Sequence, residues 1–198
     1  MISAFEDVTV RPRRYADLTT PQEIATQGSV NTRHGVERAI RYAFDYAKQF
    51  GRKKVTLVAK TNVLRYAHNL WMRAFEEVKK DYAGIETDYH HVDACCMYMV
   101  AKPKVYDVIV TTNMFGDIIT DLGAALQGGL GVAASANLHP GRTSMFEPVH
   151  GSAHDAVGND QVNPSSQILS AVMLLEFLGE ADAAARIRKA CADPSAQA

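Results

Sequence analysis

Short apolar runs alternate with helical periodicity along most of this 198-residue chain, and this alternation constrains the fold most strongly. The β-rich run at 55–59 predicts a buried strand, and 86–92 and 106–110 predict two further strands. Apolar residues recur at helical spacing before, between and after these runs, over 31–50, 64–82, 93–101 and 114–126. Strands that alternate with helices indicate an α/β fold in layers.

The character of the sequence changes after Leu126. Residues 128–164 are rich in Gly, Ser, Asn and Pro, which predicts a long loop of the kind that more often carries function than simple connection. Two helices are predicted after it, over 165–178 and 180–192, with a break at Gly179. The opening segment, 1–27, is expected to be irregular.

Composition excludes several classes of function. Lys+Arg is 21 and Asp+Glu is 22, so the net charge of −1 provides no general attraction for nucleic acid. The longest apolar run, 168–178, is too short to span a membrane, and no signal peptide is expected. The three cysteines include an adjacent pair and no CxxC, which favours a reducing, cytoplasmic setting over a disulfide framework.

Two acidic residues in the predicted helix over 114–126 form the most distinctive local pattern. Asp117 and Asp121 are four residues apart, so their carboxylates share one helix face, where they repel each other unless a cation lies between them. Oxygen ligands of this kind suit Mg²⁺ or Mn²⁺. The alternative is a pair of solvated acids near a helix N-terminus, favoured by the helix dipole.

Two charged residues follow predicted strands. Asp93 comes directly after the extended run at 86–92, and it is a third candidate metal ligand or, alternatively, a helix cap. Lys60 ends the run at 55–59, where ligands bind in parallel α/β sheets, and its surroundings there can adapt it to proton transfer. The alternative for Lys60 is a solvent-facing lysine at the end of a strand.

A glycine-containing turn in the predicted loop is a candidate nucleotide site. Gly151, between His150 and Ser152, allows a ligand to approach the backbone closely. Asp155 can accept both hydroxyls of a ribose, and its charge repels a 2′-phosphate. The alternative is an ordinary turn.

Five motifs together resemble the β-decarboxylating dehydrogenases, the family of isocitrate and 3-isopropylmalate dehydrogenases. They are KTNV at 60–63, VDA at 92–94, NMFGDI at 113–118, TDL at 120–122 and MFEPVHGSA at 145–153. The likeness is greatest to the 3-isopropylmalate and tartrate or D-malate enzymes. Relative to the family pattern, the N-terminal half and the extreme C-terminus are missing.

The resemblance implies a truncated isopropylmalate dehydrogenase-like α/β fold. Its parts would be an irregular segment over 1–27, a small dimerisation and metal-binding domain over 28–127, and a partial large domain with the nucleotide loop over 128–198. The middle helices would form the core of a homodimer or larger homo-oligomer. A separate subunit could supply the missing half.

The same resemblance implies roles for particular residues. Asp117 and Asp121 would bind Mg²⁺ or Mn²⁺ in one subunit, while Asp93 and Lys60 of its neighbour would complete the metal shell and accept the proton of the substrate hydroxyl. NAD would be bound by Asn62, His150, Gly151, Asp155 and Asn163. Arg11 would bind a substrate carboxylate.

The function implied by the resemblance is metal-dependent oxidation and decarboxylation of a 2-hydroxy di- or tricarboxylate, with NAD as the hydride acceptor. The small-molecule substrate would be similar to 3-isopropylmalate. The alternative is a non-catalytic, truncated or regulatory subunit of the same fold, which dimerises or completes a partner. Neither nucleic acid nor a membrane is expected as a partner.

Overall fold

The structure is a computed structural model that describes residues 2–4, 27–159 and 161–192. The chain divides into two compact units, Met1–Thr120 and Asp121–Ala198, and the division falls within a helix. The three-part organisation expected from the sequence stays a prediction.

The first unit is built around a parallel sheet. In chain order its elements are β1 (Ile2–Ala4), α1 (Arg33–Gln49), β2 (Lys54–Ala59), α2 (Arg65–Val78), β3 (Glu86–His91), α3 (Val92–Ala101), β4 (Val108–Thr112) and the start of α4 (Asn113–Leu126). The strands pair in the order β1-β4-β2-β3, all in parallel. Parallel strands connected by helices confirm the predicted α/β class.

Side chains of β2 alternate between two apolar clusters, so the sheet is covered on both faces. Val55, Leu57 and Ala59 pack in a cluster with residues of α1 and α2, including Trp71. Val58 packs in the second cluster, with residues of α3 and α4. This burial on both faces explains why the sequence of β2 is continuously apolar rather than alternating.

The third predicted strand begins two residues later than expected. β4 is Val108–Thr112 rather than 106–110, because Pro103–Val105 form a 3₁₀ turn in which Tyr106 N–H donates to the Pro103 carbonyl. β1 was not predicted within the irregular segment, since three residues are too few to show a periodicity. It exists through its pairing with β4, in which Ile2 lies opposite Val110.

The second unit joins a two-stranded sheet to two helices. After α4 the chain forms β5 (Ala134–Asn137), β6 (Met145–Pro148), α5 (Ser165–Phe177) and α6 (Ala181–Ala192). The expected break between the last two helices is confirmed by Gly179, at φ 84°. The prediction of a loop over 128–164 was wrong for two segments, because β5 and β6 pair in antiparallel fashion across a turn containing Gly141 at φ 74°.

Two buried serines of α5 hold the β5–β6 hairpin. Ser166 donates its hydroxyl to the Ala133 carbonyl, and the Ser170 hydroxyl lies 2.9 Å from both the Glu147 and the Ser166 carbonyl. These contacts link the hairpin to the helix. Within the described part of the chain, no helix is both long and apolar enough to span a membrane.

Candidate active site

The carboxyl ends of two neighbouring parallel strands bring Lys60 and Asp93 together. Lys60 directly follows β2, and Asp93 is the second residue of α3, which starts where β3 ends. Ala59 and His91 lie opposite each other in the sheet, so the two chain segments leave it side by side. Lys60 Nζ lies 2.5 Å from Asp93 Oδ1. The predicted position of Lys60 at the edge of a parallel sheet is confirmed.

The Lys60–Asp93 pair is open to solvent on one side. The side chain of Lys60 is 22 % exposed and that of Asp93 is 68 % exposed. The hydrogen bond from Lys60 lowers the pKa of Asp93, and the backbone N–H of Asp93 lowers it further. Asp93 is not the N-cap of α3, since His91 occupies that position. Asp93 is therefore an ionised carboxylate that is accessible to solvent.

The segment that carries Lys60 is held by two side chains that the sequence did not single out. The backbone N–H of Lys60 donates to His68 Nδ1 at 2.7 Å, and that of Thr61 donates to the Tyr89 hydroxyl at 3.3 Å. His68 is eight residues after Lys60, near the start of the helix that follows the strand. This spacing is the sequence feature that could have indicated the contact. Asn62 is exposed at the same end of β2.

Asp117 and Asp121 are exposed one turn apart on α4. Met114 and Ile118 are exposed beside them, whereas Ile119 is fully buried. The expectation that this helix is half buried is confirmed. Two carboxylates on a solvent-accessible helix face are available as oxygen ligands for a hard divalent cation.

No three His, Cys, Asp or Glu side chains among the described residues are grouped as a metal site requires. Asp93 therefore does not join Asp117 and Asp121 within one chain. On α3, Asp93 shares an exposed helix face with Met97 and Val100, both more than half exposed. Each set of acids thus lies among exposed apolar side chains.

The candidate nucleotide residues lie in the second unit. His150 Nδ1 is 2.7 Å from the Gly151 carbonyl, so Nδ1 is the donor and Nε2 of the neutral ring is left as an acceptor. Nε2 is buried and has no hydrogen-bond partner within the described residues. A buried, unsatisfied acceptor of this kind fits a hydroxyl or amine of a bound ligand. Gly151 has φ 65°, a conformation that favours glycine.

The remaining candidate binding residues are Asp155, Asn163 and Arg11. Asp155 is exposed in the 3₁₀ turn His154–Ala156. Asn163 accepts the Ser165 N–H at 2.9 Å through its side-chain oxygen and so helps to start α5. Arg11 lies outside the described residues.

Comparison with known proteins supports the fold and identifies the family. Residues 4–196 match the family model described as isocitrate/isopropylmalate dehydrogenase. The 3-isopropylmalate dehydrogenase of Thermobifida fusca is 56 % identical over 176 residues, which cover 88 % of this chain and 50 % of that protein. That of Corynebacterium glutamicum is 54 % identical, over 87 % of this chain and 51 % of that protein. The crystal structure of isocitrate dehydrogenase from Methylococcus capsulatus has a TM-score of 0.81 and 49 % identity, covering 86 % of this chain and 50 % of that one.

The parallel α/β fold of this chain is the fold of the matched isocitrate dehydrogenase structure. The chain belongs to the isocitrate/isopropylmalate dehydrogenase family, which confirms the resemblance seen in its motifs. It spans about half the length of the curated relatives it matches.

Proposed function

We propose that this chain provides the site for oxidative decarboxylation of a 2-hydroxy di- or tricarboxylate of the 3-isopropylmalate type. The Lys60–Asp93 pair at the carboxyl edge of the sheet carries the proposal. It places an amine beside an ionised carboxylate, at the position where parallel α/β sheets bind ligands. A pair in this geometry can exchange a proton with a bound hydroxyl.

Lys60 is the proposed proton acceptor. In its neutral form, Nζ would take the proton of the substrate C2 hydroxyl, and bound NAD⁺ would supply the acceptor for the C2 hydride. The neighbouring Asp93 carboxylate stabilises the ammonium that forms, at the 2.5 Å separation of the two groups. The resulting β-keto acid would then lose carbon dioxide, and the enolate that remains would take a proton at carbon from a general acid.

Asp93, Asp117 and Asp121 are the proposed ligands of Mg²⁺ or Mn²⁺. Their carboxylate oxygens match the preference of both ions, and all three residues are exposed. A bound divalent ion would supply Lewis-acid stabilisation of charge on the substrate oxygens. These residues would hold the ion, and Asp93 would also remain beside the lysine.

We place the site between two copies of this chain. Asp93 is surrounded by exposed Met97 and Val100 on α3, and Asp117 by exposed Met114 and Ile118 on α4. Apolar exposure of this kind is typical of surfaces that a partner covers. In a homodimer, Lys60 and Asp93 of one subunit would face Asp117 and Asp121 of the other. A larger homo-oligomer, or a separate subunit that completes the site, would use the same faces.

NAD is the proposed hydride acceptor. The unpartnered Nε2 of His150 is a buried acceptor for a hydroxyl or amine donor. Gly151 beside it has a positive φ and no side chain, so a ligand can approach the backbone closely there. The exposed Asp155 favours free ribose hydroxyls over a 2′-phosphate through its negative charge. Asn62 and Asn163 are the remaining proposed contacts, and Arg11 is the proposed carboxylate-binding residue.

The setting proposed for this activity is the cytoplasm, which the free Cys95, Cys96 and Cys191 support. The relatives described above are all named as dehydrogenases, which does not favour the alternative of a non-catalytic subunit.

The test is formation of NADH, followed at 340 nm with Mn²⁺ and NAD⁺. The substrates compared are 3-isopropylmalate, D-malate, tartrate, isocitrate and homoisocitrate. Lys60→Ala is expected to abolish turnover, because the proton acceptor is removed. Lys104→Ala is the matched control, since Lys104 is an exposed lysine of the same unit. No turnover of the unmodified chain on any of these acids, or full activity of Lys60→Ala, would refute the proposal.

A further inference from the structure

We propose that His68 and Tyr89 are positioning residues that hold the backbone of Lys60 and Thr61, and so direct the lysine side chain to the reacting hydroxyl. The inference rests on the proposed role of Lys60. It gives a buried histidine of α2 and a tyrosine of β3 a role in placing the lysine.

His68 bonds the first residue beyond the sheet. The pairing of β2 with β3 ends at Ala59, so Lys60 is the first residue beyond it. His68, only 2 % exposed on α2, accepts this N–H at Nδ1 over 2.7 Å. Its ring meets Phe115 edge-on, with the ring centroids 5.2 Å apart, and this contact limits its rotation.

The protonation state of His68 suits this role. Nδ1 accepts, so the ring proton is on Nε2 and the imidazole is neutral. Burial lowers the pKa of His68 to about 4, so this form persists at neutral pH. The acceptor for the lysine N–H is therefore present throughout the range in which a dehydrogenase works.

Tyr89 holds the next residue in the same manner. Its hydroxyl accepts the N–H of Thr61 at 3.3 Å and lies 2.8 Å from Thr61 Oγ1. It also lies 3.1 Å from His91 Nδ1. A phenol can accept from both Thr61 groups and donate to the His91 ring, so all its hydrogen-bonding capacity is used.

Together these bonds fix the peptide groups on both sides of the Lys60 side chain. The Lys60 carbonyl also accepts the N–H groups of Val63 and Leu64, at 3.1 and 2.9 Å. With its backbone held at both ends, the side chain extends from a fixed point to Asp93. Reaction rates depend steeply on such placement, since a shift of about 1 Å can reduce a rate about 100-fold.

Three variants separate positioning from packing. His68→Leu fills the cavity without an acceptor, His68→Asn keeps an acceptor near the position of Nδ1, and Tyr89→Phe removes only the hydroxyl. Amide hydrogen exchange of Lys60 and Thr61 is measured against that of Val55, a buried residue of β2. Where the unmodified chain turns over, kcat and KM are measured as well.

His68→Leu and Tyr89→Phe are each expected to speed hydrogen exchange at one particular amide. Relative to Val55, His68→Leu should speed exchange at Lys60 at least about tenfold, and Tyr89→Phe should do so at Thr61. His68→Asn should restore the Lys60 protection. kcat should fall about tenfold in His68→Leu with KM within about twofold, and should recover in His68→Asn.

Two results would overturn the inference. One is unchanged exchange of Lys60 relative to Val55 in His68→Leu; the other is a kcat for His68→Leu equal to that of the unmodified chain. Absence of turnover in the unmodified chain would instead refute the proposed function. The exchange rates alone would then decide whether His68 and Tyr89 hold the segment.

Discussion

The buried His68 should make the stability of this chain fall as the pH is lowered from 7 to 5. Burial lowers its pKa from 6.5 to about 4 in the folded chain. Between these values the unfolded chain binds a proton that the folded chain does not, so acid favours unfolding. The loss of stability is absent at pH values above the pKa of His68 in the unfolded chain. It is complete at pH values below the pKa of His68 in the folded chain.

The size of this effect follows from the two pKa values. A gap of about 2.5 pH units, at about 1.4 kcal/mol per unit, gives a limit of about 3 kcal/mol. Between pH 7 and pH 5 most of the unfolded histidine becomes protonated, while the folded ring stays neutral. The expected loss over that interval is about 2 kcal/mol in the free energy of unfolding.

Urea denaturation at pH 7, 6 and 5 measures this loss, with His68→Asn as the reference. Carboxylates also titrate in this interval, but they are the same in both proteins, so the difference isolates the histidine. The free energy of unfolding should fall with pH by about 2 kcal/mol more in the unmodified chain than in the variant. Parallel pH profiles of the two proteins would refute the assignment of His68 as a neutral, buried acceptor.

Three further substitutions test packing and metal binding. Trp71→Ala should lower the free energy of unfolding by about 3–5 kcal/mol, because the ring is fully buried and its Nε1 donates to Asn31 at 2.9 Å; a loss below about 1 kcal/mol in urea would contradict this. Ser170→Ala should cost about 1 kcal/mol through loss of the hydroxyl contacts with the Glu147 and Ser166 carbonyls, and an unchanged melting temperature would argue against those contacts. Asp117→Asn should weaken Mn²⁺ binding at least about tenfold in isothermal titration, whereas equal affinity would exclude it as a ligand.

The α/β class and the position of Lys60 could be predicted because both depend on local pattern. A continuous apolar run predicts a buried strand, and the residue after it lies at the edge of the sheet. The contact of Lys60 with Asp93 could not be predicted from spacing, because it requires β2 and β3 to be neighbours in the sheet. Strand order is a tertiary property that residues 33 positions apart do not reveal.

The parts that were missed depend on partners distant in the chain. β5 and β6 are poor in strand-forming residues and exist through their pairing and the serine bonds from α5. His68 falls within an ordinary amphipathic helix, and its role is visible only when Lys60 N–H is seen to need an acceptor. Local propensity is a weak guide wherever a single long-range hydrogen bond decides the conformation.

Complementation between two inactive variants tests the central claim, a site shared by two copies of the chain, most directly. Lys60→Ala and Asp117→Asn are refolded together in equal amounts, and NADH formation is measured under conditions where the unmodified chain is active. In a mixed dimer one site carries both changes and the other carries neither. Because half of randomly formed dimers are mixed, about a quarter of the unmodified activity should return. A mixture as inactive as each variant alone would contradict a site built from Lys60 of one subunit and Asp117 of the other.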